Sequence, residues 1–227
     1  MTVERLLYND HGPVHAAIVA GSALQIFEML MEYGVVPTTL QHNTVDDVEE
    51  SRFVVLVSAY LHDIGNSVHR ENHEFMGAIM SDPILDRLFD EVMPEAGPGR
   101  RARIKSEIKH AIYATHPTVK ALTVEASSVK VADATDMAEG RARIPYSKGK
   151  LDMHSLSALS IKRVELEWGT KRPIRIKILM TSYAGFFQVE KVLLPKIEYS
   201  TIAEYVEVVP YLLGKDESVQ PLTPIYP

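Results

Sequence analysis

The stretch Phe53-Val-Val-Leu-Val-Ser-Ala-Tyr-Leu-His-Asp-Ile-Gly65 decides how the chain is read. Phe53, Val54, Leu56, Val57, Tyr60 and Leu61 recur at helical spacing, which predicts a buried helix running to Gly65. Its start is placed near Thr44, where Thr-Val-Asp-Asp sets a capping hydroxyl three residues before an acid. The last turn then delivers His62 and Asp63 side by side. A buried carboxylate needs a cation or hydrogen-bond donors to offset its desolvation, and a divalent metal ion meets that need.

Upstream, Val14, Ile18, Val19, Leu24, Ile26, Phe27 and Leu30 predict a first long helix from Val14 to Met31, closed by Gly34 and Pro37. Downstream, helices are expected at His73 to Met80, Pro83 to Val92, Ile104 to Thr115 and Thr123 to Glu139, with Met93 to Arg101 as a loop. The pattern changes after Gly149. Leu159 to Trp168 and Pro173 to Thr181 alternate apolar and charged residues and read as a hairpin turned at Gly169-Thr170-Lys171-Arg172. A helix from about Phe186 to Ile197 and a strand from Tyr205 to Leu212 complete a small α+β module. The expected organisation is a mainly α domain over residues 1–149 and the α+β module over 150–227.

Composition narrows the function. The 227 residues carry 24 Lys and Arg against 30 Asp and Glu, a formal charge of -6, so broad nucleic-acid binding or attachment to an anionic membrane is not expected. With no cysteine, disulfides, thiolate zinc sites, iron–sulfur clusters and a cysteine nucleophile are excluded, and any metal must sit among His and carboxylates. The charged start has no secretory h-region and no run of about 18 apolar residues suggests a membrane span, which makes a cytoplasmic location the expectation.

Eight of the nine histidines lie before Pro117. A lone histidine is more often packed or solvated than a ligand, but the concentration beside acids shifts the balance. Asp133, in Val129-Lys-Val-Ala-Asp-Ala-Thr-Asp-Met137, is a second carboxylate on an otherwise apolar helix face.

These residues resemble the HD-domain metal phosphohydrolases, whose pattern is a His on an early helix, a His-Asp pair and a later Asp. The matches are His15 in HAAIVA, His62 and Asp63 in LHDIG, and Asp133 in VADATD, in the same order along roughly the first 140 residues. The resemblance implies an HD-type helical bundle with one or two divalent ions per chain. His73 in HEFMGA and His116 in IYATHP stand where two-metal members place further ligands, with His69 and His110 as their respective alternatives, which favours a binuclear centre. His11, close behind Asp10, is expected either to donate a hydrogen bond to a ligand or merely to stand beside the start of the first helix, with the second favoured.

The chemistry implied is hydrolysis of a small phosphate ester by metal-activated water, with His62 and Asp63 at the centre. Mn, Fe, Co, Ni, Zn and Mg all remain open as the metal. Lys130, Arg141 and Arg143, close in sequence to Asp133, are candidates to neutralise phosphoryl oxygens, Lys130 with a catalytic role and the arginines as substrate contacts. Asn66 stands where cyclic-dinucleotide phosphodiesterases of the family carry Lys, and no Gly-Tyr-Pro element follows His116. The expected substrate is therefore a nucleotide or cyclic nucleotide acted on by a nucleotidase or a small-substrate phosphodiesterase. The alternatives are an HD-fold diiron oxygenase and a non-catalytic metal- or effector-binding module, and a homo-oligomer is compatible with each.

Overall fold

The computed structural model describes residues 11–138, 157–214 and 218–227. Arg141, Arg143 and the expected domain boundary at 149/150 lie outside the described residues.

Helix α1 (Pro13–Tyr33) opens with Pro at its first position and ends at Gly34, whose φ of 103° is a left-handed conformation that suits glycine. Gly34 N–H donates to the Met31 carbonyl and Val35 N–H to that of Leu30, each at 2.9 Å, the double bond of a Schellman end. By length and composition α1 could cross a bilayer, contrary to the expectation that no segment could. Here it is packed in the bundle, with Val19, Ala23, Ile26, Phe27 and Leu30 buried.

A short turn of helix α2 (Thr38–Gln41) leads to α3 (Val48–Leu61). The cap of α3 is Asp47, which accepts from Glu50 N–H at 2.9 Å, and not Thr44. The Thr44 hydroxyl instead donates to the Thr39 carbonyl and closes the preceding turn. Leu61 is the last helical residue, so His62 and Asp63 follow the helix instead of sitting in its last turn, and a 3-10 turn, Ile64–Ser67, comes next.

Helices α4 (His73–Met80) and α5 (Asp82–Val92) follow as expected. Helix α6 (Pro98–Ala114) starts earlier than the sequence pattern suggested, because Pro98 serves as its first residue. The basic stretch on α6 forms ion pairs with acids of neighbouring elements, Arg101 with Asp90, Lys105 with Asp86 and Arg100 with Glu50. Helix α7 (Val124–Thr135) is capped by the Thr123 hydroxyl, which accepts from Ala126 N–H at 3.0 Å. It is buried on nearly all sides between α1, α3 and α6.

The remainder is a four-stranded sheet in the order β1 (Ile161–Trp168), β2 (Ile174–Met180), β3 (Val206–Leu213) and β4 (Val219–Pro221). β1 and β2 form the antiparallel hairpin, Leu166 opposite Ile176, while β2 and β3 are parallel, Ile176 opposite Val208. A parallel pair needs a crossover, and a continuous helical segment supplies it. Its α-helical turns Phe186–Gln188 (α8) and Leu194–Glu198 (α9) flank a π-helical stretch, Val189–Leu193. Alternate β2 residues Ile174, Ile176, Ile178 and Met180 point inward, and they share one hydrophobic cluster with Val19, Ile26 and Phe27 of α1 and Val129 of α7. The helical bundle and the α+β part therefore bury a common core. The protein is mainly α with a small α+β portion at its C-terminal end.

Candidate metal centre

The break between α3 and the 3-10 turn positions the first two groups. Beyond the helix, His62 turns its Nδ1–H to the Ala59 carbonyl at 2.7 Å, which orients the ring with Nε2 facing inward. The turn is tight because residue 65 is glycine. A Cβ there would lie 2.0 Å from the His73 carbonyl oxygen and 2.7 Å from Gly77 N, so only glycine lets the turn press on α4. That contact brings His73 Nε2 to 3.2 Å from Asp63 Oδ1.

His15, one turn into α1, is 1% exposed and gives its Nδ1–H to Asp136 Oδ2 at 2.6 Å. Its Nε2 stands 3.2 Å from His62 Nε2, 3.4 Å from Asp63 Oδ2 and 3.3 Å from Asp133 Oδ1. His62 Nε2 is 3.5 Å from the same oxygen of Asp63 and 3.6 Å from that of Asp133. Two imidazole nitrogens and two carboxylate oxygens crowd together. Donor atoms bound to one ion at roughly 2.0–2.2 Å in a tetrahedral arrangement stand about 3.4 Å apart, which is close to the spacing between these two nitrogens and either oxygen. The two nitrogens with either oxygen fit a divalent cation in chemistry and spacing, and His15, His62 and Asp133 form one such group of donors.

His11 Nδ1 contacts Asp63 Oδ2, so His11, His15 and Asp63 form a second group of donors overlapping the first. Asn66 donates to Asp63 Oδ1 at 2.9 Å. Burial acts to raise the Asp63 pKa, but His62, His11 and His73 outweigh it and hold the carboxyl well below the usual range. Asp133 behaves alike: burial is overcome by the Lys196 ammonium, which contacts Oδ2, and by His15 and His62.

His73 lies beside the centre instead of among the four. Its Nδ1 donates to the Arg70 carbonyl at 2.8 Å, and Arg70 Nη1 is 3.0 Å from Nε2. Burial lowers its pKa, yet bonds to Asp63 and Glu74 raise it to about 9. Those contacts place a guanidinium next to the atom that a second ion would need. His116, expected as another ligand, caps its own turn: its Nδ1 accepts from Thr118 N–H at 3.3 Å.

Lys130 does not face the centre. It is fully buried, and its ammonium donates to the carbonyls of Ala114, His116 and Val119 at 2.8, 2.6 and 2.8 Å, tying α7 to the end of α6. Burial and the nearby Lys196 push its pKa down to about 7. The cation at the centre is Lys196, from α9, which the sequence pattern did not single out. Asp136 also went unnoticed, although it sits three residues after Asp133 in the same motif, one helical turn further on. Beside Asp136 opens a groove of about 660 Å³ between α1, the end of α7 and strands β1 and β2.

This arrangement, a pair of histidines and two aspartates gathered from α1, the turn after α3 and α7 of a helical bundle, defines a class of metal-dependent hydrolase fold. The HD-domain family model matches residues 15–138, from the first histidine of the cluster to just beyond Asp136, and the chain belongs to that family. It is also similar to an uncharacterized protein of Methanocaldococcus jannaschii, 41% identical over 208 residues that cover 92% of this chain and 79% of that protein. No solved structure matches the chain.

Proposed function

We propose that the protein is a phosphohydrolase holding one divalent ion through His15, His62, Asp63 and Asp133 and acting on a small phosphate ester, a nucleotide or cyclic nucleotide. The observation that carries this reading is that Asp63 Oδ2 and Asp133 Oδ1 each lie 3.3–3.6 Å from both His15 Nε2 and His62 Nε2, which are 3.2 Å apart. A divalent ion held there supplies Lewis acidity to a phosphoryl oxygen and acidifies water to a pKa of about 7. The protein's own groups do the rest. Asp136 and the Ala59 carbonyl orient the two imidazoles. The Arg70 side chain, 30% exposed and 3.9 Å from Asp63 Oδ1, offers a guanidinium at the rim for a phosphate. The groove beside Asp136 has the volume of a small-molecule site.

One ion is favoured over two because His73 Nε2, the atom on which a second ion would depend, is turned to Asp63 Oδ1 at 3.2 Å and has the Arg70 guanidinium 3.0 Å away. The same contacts weigh against the diiron oxygenase, which requires both irons. The experiment is metal analysis of the purified protein followed by phosphate release from a panel of nucleotides and cyclic nucleotides with Mn²⁺, and by oxygen uptake with Fe²⁺. Release from one nucleotide class with one metal equivalent supports the reading. Two equivalents of iron with oxygen uptake and no phosphate release would replace it.

A further inference from the structure

Lys196 is 8% exposed, although it comes from a segment that contributes no ligand atom to the histidine cluster among the described residues. Its ammonium meets Asp133 Oδ2. The other oxygen of that carboxylate, Oδ1, is the one 3.3 Å from His15 Nε2 and 3.6 Å from His62 Nε2. The two oxygens are thus assigned to different partners. A carboxylate without such a hold can rotate about its last bond or chelate an ion with both oxygens. One tied through Oδ2 presents a single oxygen in a fixed direction. Lys130, which is fully buried, is committed to the carbonyls of Ala114, His116 and Val119 and does not serve this purpose.

We propose that Lys196 is a positioning residue: it holds Asp133 by Oδ2 so that Oδ1 alone faces the histidines, and through it the crossover segment becomes part of the metal centre. This rests on the reading of the cluster as a metal site, and it gives the C-terminal portion a role that the ligand set alone does not.

The test uses the full chain and Co²⁺ as the probe. Wild-type protein should take up one Co²⁺ with the intense visible absorption of a four-coordinate ion. Lys196→Met, shown to be folded by circular dichroism, should bind Co²⁺ about tenfold or more weakly. Its visible band should lose intensity as the second oxygen of Asp133 joins. In an Asp133→Asn background, Lys196→Met should add no further loss, since the effect runs through that carboxylate. Unchanged affinity and spectrum in folded Lys196→Met, or an equal loss in both backgrounds, overturns the proposal. A wild-type chain that takes up no Co²⁺ overturns the metal reading itself, and the proposal with it. If Lys196→Met does not fold, wild-type protein carrying ¹⁵N-labelled lysine provides the second measurement. Zn²⁺ should shift the signal of a solvent-protected ammonium, and protected signals indifferent to Zn²⁺ overturn the proposal.

Discussion

Gly65→Ala is the sharpest perturbation of the turn that carries Asp63. The added methyl would lie 2.0 Å from the His73 carbonyl oxygen and 2.7 Å from Gly77 N, and both are backbone atoms of α4 that no rotamer change can move. Carbon–oxygen contacts begin at about 3.3 Å, so the turn and α4 must part by about 1.3 Å. A movement of that size takes His73 out of its 3.2 Å contact with Asp63 Oδ1. Overpacking of this kind costs up to about 3 kcal/mol, which lowers Tm by about 6–12 °C in a chain of this length. Gly21→Ala is the matched control. Gly21 is an exposed residue in α1 with nothing within 4 Å of its added Cβ, and it should gain about 0.5–1 kcal/mol from reduced backbone freedom. Calorimetry and metal counting on the two variants settle the matter. A Gly65→Ala protein that melts within about 1 °C of wild type and keeps its full metal content would refute the reasoning.

Asp136→Ala should weaken metal binding by about 10–100-fold with little change in helical content, because it frees the His15 imidazole from its 2.6 Å bond. Metal titration checks this, and an unaltered affinity would remove Asp136 from the centre. Lys130→Met should leave metal binding intact but lower stability by about 1–3 kcal/mol, measured by urea unfolding, since three carbonyls, that of Ala114 buried and the others partly so, lose their donor. Loss of metal from a folded Lys130→Met protein would restore that lysine to the site. Glu125 is fully buried, with Oε1 accepting from the Thr39 hydroxyl at 2.7 Å and Oε2 without a partner among the described residues. Burial raises its pKa in the folded state, so the native protein binds the extra proton: the contribution is fully present below the unfolded pKa of about 4.3 and is lost as pH rises through the folded value. Glu125→Gln should flatten the decline of Tm over that rise, and an unchanged slope would show that Glu125 is not its source.

The helices were legible in the sequence because their apolar periodicity reports burial directly, and α1, α4 and α5 fall close to their expected bounds. The starts of α3 and α6 were missed because each offered competing signals. Thr44 and Asp47 are both good caps, and the Thr44 hydroxyl is taken by the Thr39 carbonyl. The Pro- and Gly-rich stretch before Arg100 reads equally as loop or as a helix entered through Pro98. The β1–β2 hairpin was legible from its alternation, whereas the parallel pairing of β2 with β3 is a contact at a distance that no local pattern encodes.

The same distinction divides the centre. His62 and Asp63 announce themselves because a polar pair at the end of an apolar run is costly unless something compensates it. His15 and Asp133 can be recognised by their order relative to that pair. Lys196 could not be found this way, since 63 residues separate it from Asp133 and it occupies an amphipathic turn with no unusual composition around it. Lys130 illustrates the converse error. Proximity in sequence, one turn before Asp133, suggested a cation for the centre, but residues three apart on a helix reach different neighbours when the helix is enclosed on all sides. α7 turns Asp133 toward the histidines and Lys130 toward the carbonyls that end α6. On a helix with no solvent face, every charged residue must find its own buried partner, so adjacency along the chain loses its value as a guide to shared function. The cation that balances Asp133 therefore has to come from another element, and the crossover between β2 and β3 is the one that brings it.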